Sequence, residues 1–337
     1  MSDCIILTNF PFDKYNIEHT EVRKMHLSNK GMVAYMKEVL TTKPDVLFIS
    51  QPSGIVMIAN VLLKLILRHK IRIVYYDVIF QMPSGYPAKI IAKLKGFLAN
   101  QADLIYTLHK DISGYVRHYS MNEKKTRHVP FKANNAHYID SITPQDHGYV
   151  VSAGVSHRDY DALFKAIGEL GYPCKVIIPK SRRSLHNTLF TPEYVPQNVE
   201  VVDEELDQYS WNELIAKSKF VVISIAKSAL QPAGISVCLE AMALGKAVVI
   251  SKGSSVNGLI TEDEAQFFEP SDSQSLKQAI HEVWTNDGRR GQIAAKGKEY
   301  ALSLGDEKSL VYRLMNQLIS DNIVPNNSSL NTTPGFN

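Results

Sequence analysis

The strongest constraint on the fold is a rhythm that runs through the chain twice. Short β-rich runs occur at 4–8, 45–50 (DVLFIS), 71–77 (IRIVYYD) and 103–108 (DLIYTL), separated by stretches long enough for crossover helices. Parallel strands need such crossovers, so this pattern predicts a parallel sheet covered on both faces. After RHVPFKANNAHYIDSITPQDHG the rhythm restarts, with strands predicted at 149–154, 174–179, 199–203, 220–225 and 247–251. Three further helical stretches follow, at about 272–286, 288–303 and 307–320. The fold class is therefore α/β, with two Rossmann-like domains facing each other across a cleft and a linker near 131–147. The expected boundaries are 1–135, 136–305, a C-terminal helix over 306–320 returning to the first domain, and a polar, disordered tail over 321–337. A length of 337 residues, 45% of them hydrophobic and 21% charged, suffices for two such cores.

Composition removes several function classes. The longest apolar run, IANVLLKLIL at 58–67, is broken by Lys64 and ends in Arg68-His69-Lys70, short of the roughly 20 residues that span a bilayer. MSDCIILTNF has no basic segment followed by an apolar stretch and a small-residue cleavage site, so a cytoplasmic location is expected. Cys4, Cys174 and Cys238 form no Cys-x-x-Cys pair and are expected to be small core residues in a reducing compartment. The net charge of +3 is unevenly spread: 60–132 carries 13 Lys and Arg against 4 Asp and Glu, whereas 191–287 carries 6 against 15. In PAKIIAKLKGFLAN (87–100), Lys89 and Lys93 alternate with Ile90, Ile91, Leu94 and Phe97 at helical spacing, with Lys95 on the same helix. Two readings stay open here, a helix lying on anionic lipid and a solvated basic face over a packed apolar one. No nucleic-acid motif accompanies the charge, so nucleic acid is not an expected partner.

In open α/β sheets ligands bind beyond the carboxyl ends of the strands. In the second half those ends are 154–159, 179–183, 203–207, 224–234 and 251–258. One of them leads into GISVCLEAMALGKAVVIS (234–251), which reads as a glycine, an amphipathic helix, a second glycine and a strand. Gly234, Ile235 and Ser236 open that helix, where free backbone N–H groups and the positive dipole end suit a phosphate or diphosphate. Glu240 lies about one turn further in and leans back toward the helix start, placed to accept hydrogen bonds from sugar or ribose hydroxyls. The alternative is a solvent-facing helical acid.

These residues resemble a known family. GISVCLEAMALGKAVVIS, with VVSAGVSHRDYDALFKAI (150–167) and VPFKAN (129–134), is similar to the donor-binding half of retaining GT-B glycosyltransferases of the large family 4 class, over about 129–305. The resemblance implies a nucleotide-diphosphate sugar as donor, transfer with retention, no essential metal and no cofactor beyond the donor itself. It makes 1–135 the acceptor-side domain and gives Glu240 the position that usually holds the nucleotide ribose. Three departures stand out. Pro232 occupies the place of the family's first glutamate, which often reaches the donor sugar. The usual Gly-Arg pair reads Gly154-Val155, leaving Arg158 as the cation expected at the diphosphate, with Lys180, Arg182 or Lys227 as a second. TNFPFDKYNIEH lacks the glycine-rich loop common after the first strand.

Breaking a sugar–diphosphate bond leaves negative charge on the leaving oxygens, which fixed cations and a helix N-terminus can stabilise. Arg158 takes that catalytic role here. Asp77, ending IRIVYYD, is a candidate general base or acceptor contact, with a capping or loop role as the alternative. A paired-carboxylate glycosidase needs two facing acids, and only Asp77 and Glu240 qualify, in different domains. His157-Arg158-Asp159 imitates a kinase triplet without its companion motifs, and the 11 histidines form no His-Glu-x-x-His, so no metal ligand is assigned. Tyr209 and Trp211 open a helix near the expected base position, suited either to stacking or to core packing. The expected function is a retaining glycosyltransferase, peripheral on the inner face of the membrane, that passes sugar to a glycan or lipid-linked acceptor in cell-surface polysaccharide synthesis. The alternatives are a GT-B epimerase or hydrolase of nucleotide sugars and a non-catalytic nucleotide-sugar-binding relative.

Overall fold

A computed structural model describes residues 4–26, 31–67, 70–134, 139, 141–183 and 186–325. Of the tail expected to be disordered, 326–337 lies outside the described residues, as do Arg68 and His69. The chain divides into two compact units, one of Met1–Leu108, Ile112–Pro130 and Lys308–Asn337, the other of His109–Asp111 and Phe131–Glu307.

The first unit holds strands β1 (Cys4–Thr8), β2 (Thr20–Lys24), β3 (Val46–Ser50), β4 (Arg72–Tyr76), β5 (Leu104–Thr107) and β6 (Thr126–His128), all parallel, in the order β2-β1-β3-β4-β5-β6. The inner strands are apolar and buried over most of their length, Arg72 at the start of β4 being the exposed exception, because both faces are covered. Helices α1 (Met32–Thr42), α2 (Gly54–Ile66), α3 (Gly85–Ala99) and α4 (Ser113–Tyr119) connect β2 through β6. From β3 onward each crossover moves one strand in the same direction, so right-handed connections lay α2, α3 and α4 side by side on one face. Neighbours pack accordingly, α1 on α2, α2 on α3 and α3 on α4. The last helix, α10 (Glu307–Ser320), packs in this unit. Just beyond it Asp321 accepts a hydrogen bond from Tyr106 Oη at 2.9 Å, and Arg313 on the helix donates to the Pro130 carbonyl at 3.3 Å.

The second unit has β7 (Val150–Ala153), β8 (Cys174–Ile177), β9 (Val199–Val202), β10 (Phe220–Ile223), β11 (Val248–Ser251) and β12 (Gln266–Phe268), parallel in the order β12-β11-β10-β7-β8-β9. Its helices are α5 (Tyr160–Leu170), α6 (Gln208–Ala216), α7 (Ile235–Ala243), α8 (Ser273–Thr285) and α9 (Asp287–Ser303). Asp159, Asp207 and Asp272 start α5, α6 and α8 by accepting first-turn N–H bonds. Helices α5, α8 and α9 pack one face of the sheet through Leu163, Phe164, Ile280 and Ile293, and α7 packs the other through Cys238, Leu239 and Met242. The chain leaves β7 to build β8 and β9 on one side, then crosses back to build β10 to β12 on the other. The sheet therefore reverses direction between β7 and β10.

Every strand predicted from the sequence is present, and so are the three helices closing the chain. The structure adds β2, β6 and β12, all edge strands that the apolar pattern does not announce. All three cysteines are buried and unbridged, and burial pushes the Cys174 and Cys238 thiols up to about 12.

Candidate active site

The reversal between β7 and β10 brings two loops together, 154–159 and 224–234. An isolated antiparallel bridge between Arg158 and Ile225 fastens them, with Asp159 N–H donating to the Ser224 carbonyl and Ala226 N–H to the His157 carbonyl. Ser251, at the end of β11, anchors the second loop by accepting from Ile225 N–H at 3.0 Å.

Between the loops lies Arg158. It is 2% exposed, donating from Nε to the Ala153 carbonyl at 2.9 Å and from Nη1 to the Ser156 carbonyl at 3.0 Å. Two glycines make room for it. Gly154 has φ +104°, and a Cβ there would sit 2.7 Å from Arg158 Nη2; Gly234 has φ +82°, and a Cβ there would sit 2.8 Å from Ile223 Cγ2 and 3.1 Å from Arg158 Nη1. Burial pulls the guanidinium's pKa down, and among the described residues no carboxylate is paired with it. An arginine remains protonated at neutral pH even so, which makes this a desolvated cation. Gly234 is also the N-cap of α7 and supplies no side-chain hydrogen bond to the first turn. The helix's positive end and the buried guanidinium thus act on the same place.

Beside them is a pocket of about 370 Å³ lined by residues that include Gly154, Ser236, Trp211, Arg182, Glu205 and Glu240. Its size suits a nucleoside-scale ligand. Glu240, at 5% exposure, is not a solvent-facing helical acid; it belongs to the pocket wall. Ser236, one turn earlier on the same helix, joins it there. Trp211 packs against the core, as one of its two expected roles required, and also lines the pocket.

The predicted residues do not all meet. Gly154, Arg158, Gly234, Ile235, Ser236 and Glu240 converge around the β7–β10 reversal. Lys180 and Lys227 are exposed, with only their backbone N–H groups engaged, to the Asp203 carbonyl and to Ser271 Oγ, and neither lines this pocket. Arg182 does reach the rim, tied to Glu205 at 3.1 Å. Asp77 belongs to the first unit, follows β4 with φ +52° and accepts from Gln51 Nε2 at 2.7 Å; burial raises its pKa.

Sequence reasoning does not single out His157 or Gln231. His157 has φ +52° and both ring nitrogens buried without a hydrogen-bond partner, and burial lowers its pKa. The Gln231 amide lies near enough to favour the charged imidazole, yet its one hydrogen bond runs at 3.5 Å to Ser156 Oγ, and its Oε1 is buried unpartnered. The only signal in the sequence was their adjacency to Arg158 and Pro232.

Two parallel six-stranded sheets flanked by helices constitute the α/β fold of GT-B glycosyltransferases, and solved structures share it along most of the chain. Sucrose-phosphate synthase from Thermosynechococcus elongatus matches with a TM-score of 0.67 at 13% identity, covering 95% of this chain and 99% of its own. HepE from Anabaena, in complex with UDP and glucose, matches with a TM-score of 0.65 at 15% identity over 94% of this chain and 99% of its own. A glycosyltransferase from Rickettsia africae gives 0.65 at 12% identity over 95% and 90%. At these identities the likeness establishes the fold. By sequence, residues 205–300 match the model of glycosyl transferases group 1, within the segment whose motifs resemble that family. No curated protein matches the chain by sequence.

Proposed function

We propose that this protein is a retaining, metal-independent glycosyltransferase that moves a sugar from a nucleotide-diphosphate donor to a glycan or lipid-linked acceptor of the cell surface. The observation that carries the proposal is the buried guanidinium of Arg158, held by two carbonyls and paired with no carboxylate among the described residues, against the N-terminus of α7, whose N-cap Gly234 supplies no side-chain hydrogen bond. As the sugar–diphosphate bond breaks, negative charge grows on the leaving oxygens. A cation and a helix end already fixed and desolvated stabilise that charge without reorganising. Glu240 accepts from the ribose hydroxyls, Trp211 packs beside the base, and Ser236 adds a first-turn N–H and hydroxyl at the phosphate side. Transfer is taken to be front-side, with the attacking acceptor displacing the diphosphate on the same face and no covalent glycosyl intermediate on the glutamates that line the pocket, Glu204, Glu205 and Glu240. The UDP and glucose bound by the structurally similar HepE support the donor class.

The test is turnover with a panel of nucleotide sugars, with and without glycan and lipid-linked acceptors. Nucleotide release only in the presence of acceptor is expected. Acceptor-independent turnover would mean an epimerase or hydrolase instead, and tight binding without turnover a non-catalytic relative. Activity is expected to survive a chelator; loss restored by magnesium or manganese would replace the Arg158 mechanism with a metal-assisted one. A peripheral position on an anionic membrane face is part of the same proposal, supported by the exposed Lys89, Lys93 and Lys95 of α3. Among the described residues no helix is long and apolar enough to cross a membrane.

A further inference from the structure

Helix α3 is built the wrong way round for a soluble protein. It packs on its neighbours through small residues, Ala92, Gly96 and Ala99, and a Cβ at Gly96 would collide with the Tyr119 carbonyl of α4. Its large apolar residues, Tyr86, Ile90, Ile91, Leu94 and Phe97, are exposed instead, Phe97 at 59%. Adjacent α2 does the same: Ile55, Ile58, Leu62, Leu65 and Ile66 recur at helical spacing along its outer face, Leu65 at 65% exposure. Scattered surface leucines need no explanation, but two neighbouring helices with continuous apolar stripes form a patch that soluble monomers rarely leave open.

The charges around the patch have one sign. Neither helix has an acidic residue; the one lysine of α2, Lys64, is turned inward and ion-paired with Asp103 at 2.8 Å, so the border is supplied by Lys89, Lys93 and Lys95 of α3, and α4 beyond adds Arg117 and His118, again without an acid. At 100° per residue, Lys89 and Lys93 flank one side of the α3 stripe and Lys95 flanks the other. A protein partner with an apolar face would not call for this uniform basic border. An anionic bilayer does, because it offers acyl chains to the stripe and headgroups to its rim.

We infer that α2 and α3 together form a bilayer-docking face, held chiefly by insertion of their apolar stripes, with the lysines setting the preference for anionic lipid. This deepens the peripheral position proposed above and rests on it. It differs in predicting that salt and lysine replacement weaken attachment without abolishing it, whereas replacing apolar residues on α2, which carries none of those three lysines, lowers it about tenfold or more.

The experiment is sedimentation of the full chain with phosphatidylglycerol–phosphatidylcholine vesicles at low and high salt. It compares wild type, a Lys89→Glu/Lys93→Glu/Lys95→Glu variant and a Leu62→Ser/Leu65→Ser/Ile66→Ser variant, with oligomeric state measured in parallel. All changed positions on α2 are outward-facing, and an unchanged melting temperature controls for folding. The expected result is binding that persists in part at high salt and falls about tenfold or more in the serine variant. Three outcomes overturn the inference. Binding lost entirely at high salt and untouched by the serines leaves attachment to the lysines alone. No vesicle binding under any condition removes the peripheral position as well. A dimer that the serine variant dissociates, with no vesicle binding, makes the face an interface with a second copy. Turnover with a soluble acceptor, measured without lipid, stays as in wild type in every case, so failure here leaves the transferase proposal standing.

Discussion

Both units carry a six-stranded parallel sheet whose strand order reverses, and the two reversals are finished in opposite ways. In the second unit the crevice between β7 and β10 is kept open by Gly154 and Gly234 and furnished with a cation. In the first, the corresponding crevice between β1 and β3 is shut. Asn9 clasps Ser50 from both sides, donating from Nδ2 to its carbonyl at 2.9 Å and accepting its N–H at 2.8 Å. Phe10 and Phe12 then turn back over the sheet and meet Phe48 and Tyr76, with ring centroids 4.8–5.9 Å apart. One scaffold position thus holds a glycine-lined crevice with a buried arginine in one unit and an aromatic plug in the other. The topology offers a crevice; the side chains decide whether it becomes a site or core.

The sharpest way to break this contrast is to exchange the expected phenotypes. Phe12→Ala removes a fully buried ring from the plug and is expected to cost about 3–5 kcal/mol of stability while leaving donor affinity unchanged. Thermal unfolding and nucleotide-sugar titration decide it, and an affinity change would show that the plug communicates with donor binding. Next in size, Arg158→Met is expected to lower kcat by about 10²–10³-fold, the usual effect of deleting a leaving-charge stabiliser. The same change relieves a desolvated cation, so Tm should stay within a few degrees of wild type. An unfolded Met variant would reassign Arg158 as a structural pin for the Ala153 and Ser156 carbonyls. Smaller again, Glu240→Ala is expected to weaken donor binding about tenfold or more, through loss of roughly 1.5–3 kcal/mol of charged hydrogen bonding, with the fold intact. Calorimetric titration with the donor checks it.

The same contrast explains what the sequence disclosed. Apolar runs such as DVLFIS and FVVISI announce inner strands because burial on both faces demands them. The edge strand β2, TEVRK, is charged and largely exposed, and that polarity protects an edge while hiding the strand from any apolar pattern. The glycines, Arg158 and Glu240 were legible because a helix N-terminus at a strand end has a sequence form. Lys180 and Lys227 were not separable from them, since nothing in a loop's sequence records which way it turns. The α3 stripe was visible as a period, but its direction was not: which face of a helix is buried depends on the neighbour, here a close approach of α4 that only Gly96 permits. His157 showed only as part of a kinase-like triplet and Gln231 only as a neighbour of Pro232, because an unpartnered buried polar group is a property of packing.

Lys246 supplies the most specific test, one confined to a window of alkaline pH. It stands in the Leu-Glu-Ala-Met-Ala-x-Gly-Lys run that carries the family resemblance, yet it serves the scaffold, with Nζ donating to the Ser218 carbonyl at 2.7 Å and the Gln145 carbonyl at 2.5 Å. Burial lowers its pKa to about 8, against a smaller opposing pull from Asp146. In the unfolded chain a lysine titrates near 10.4. Between those values the unfolded state binds more protons than the folded one, so stability is expected to rise with pH from about 8 to about 10.4, by no more than about 1.4 kcal/mol per pH unit. Below pH 8 the whole penalty of keeping the ammonium buried is present, and above the window it is gone. Lys246→Met should flatten this segment of the stability curve without altering donor affinity at neutral pH. Denaturant unfolding of both proteins across the window measures it, and a slope that survives the substitution would assign the titration to another group.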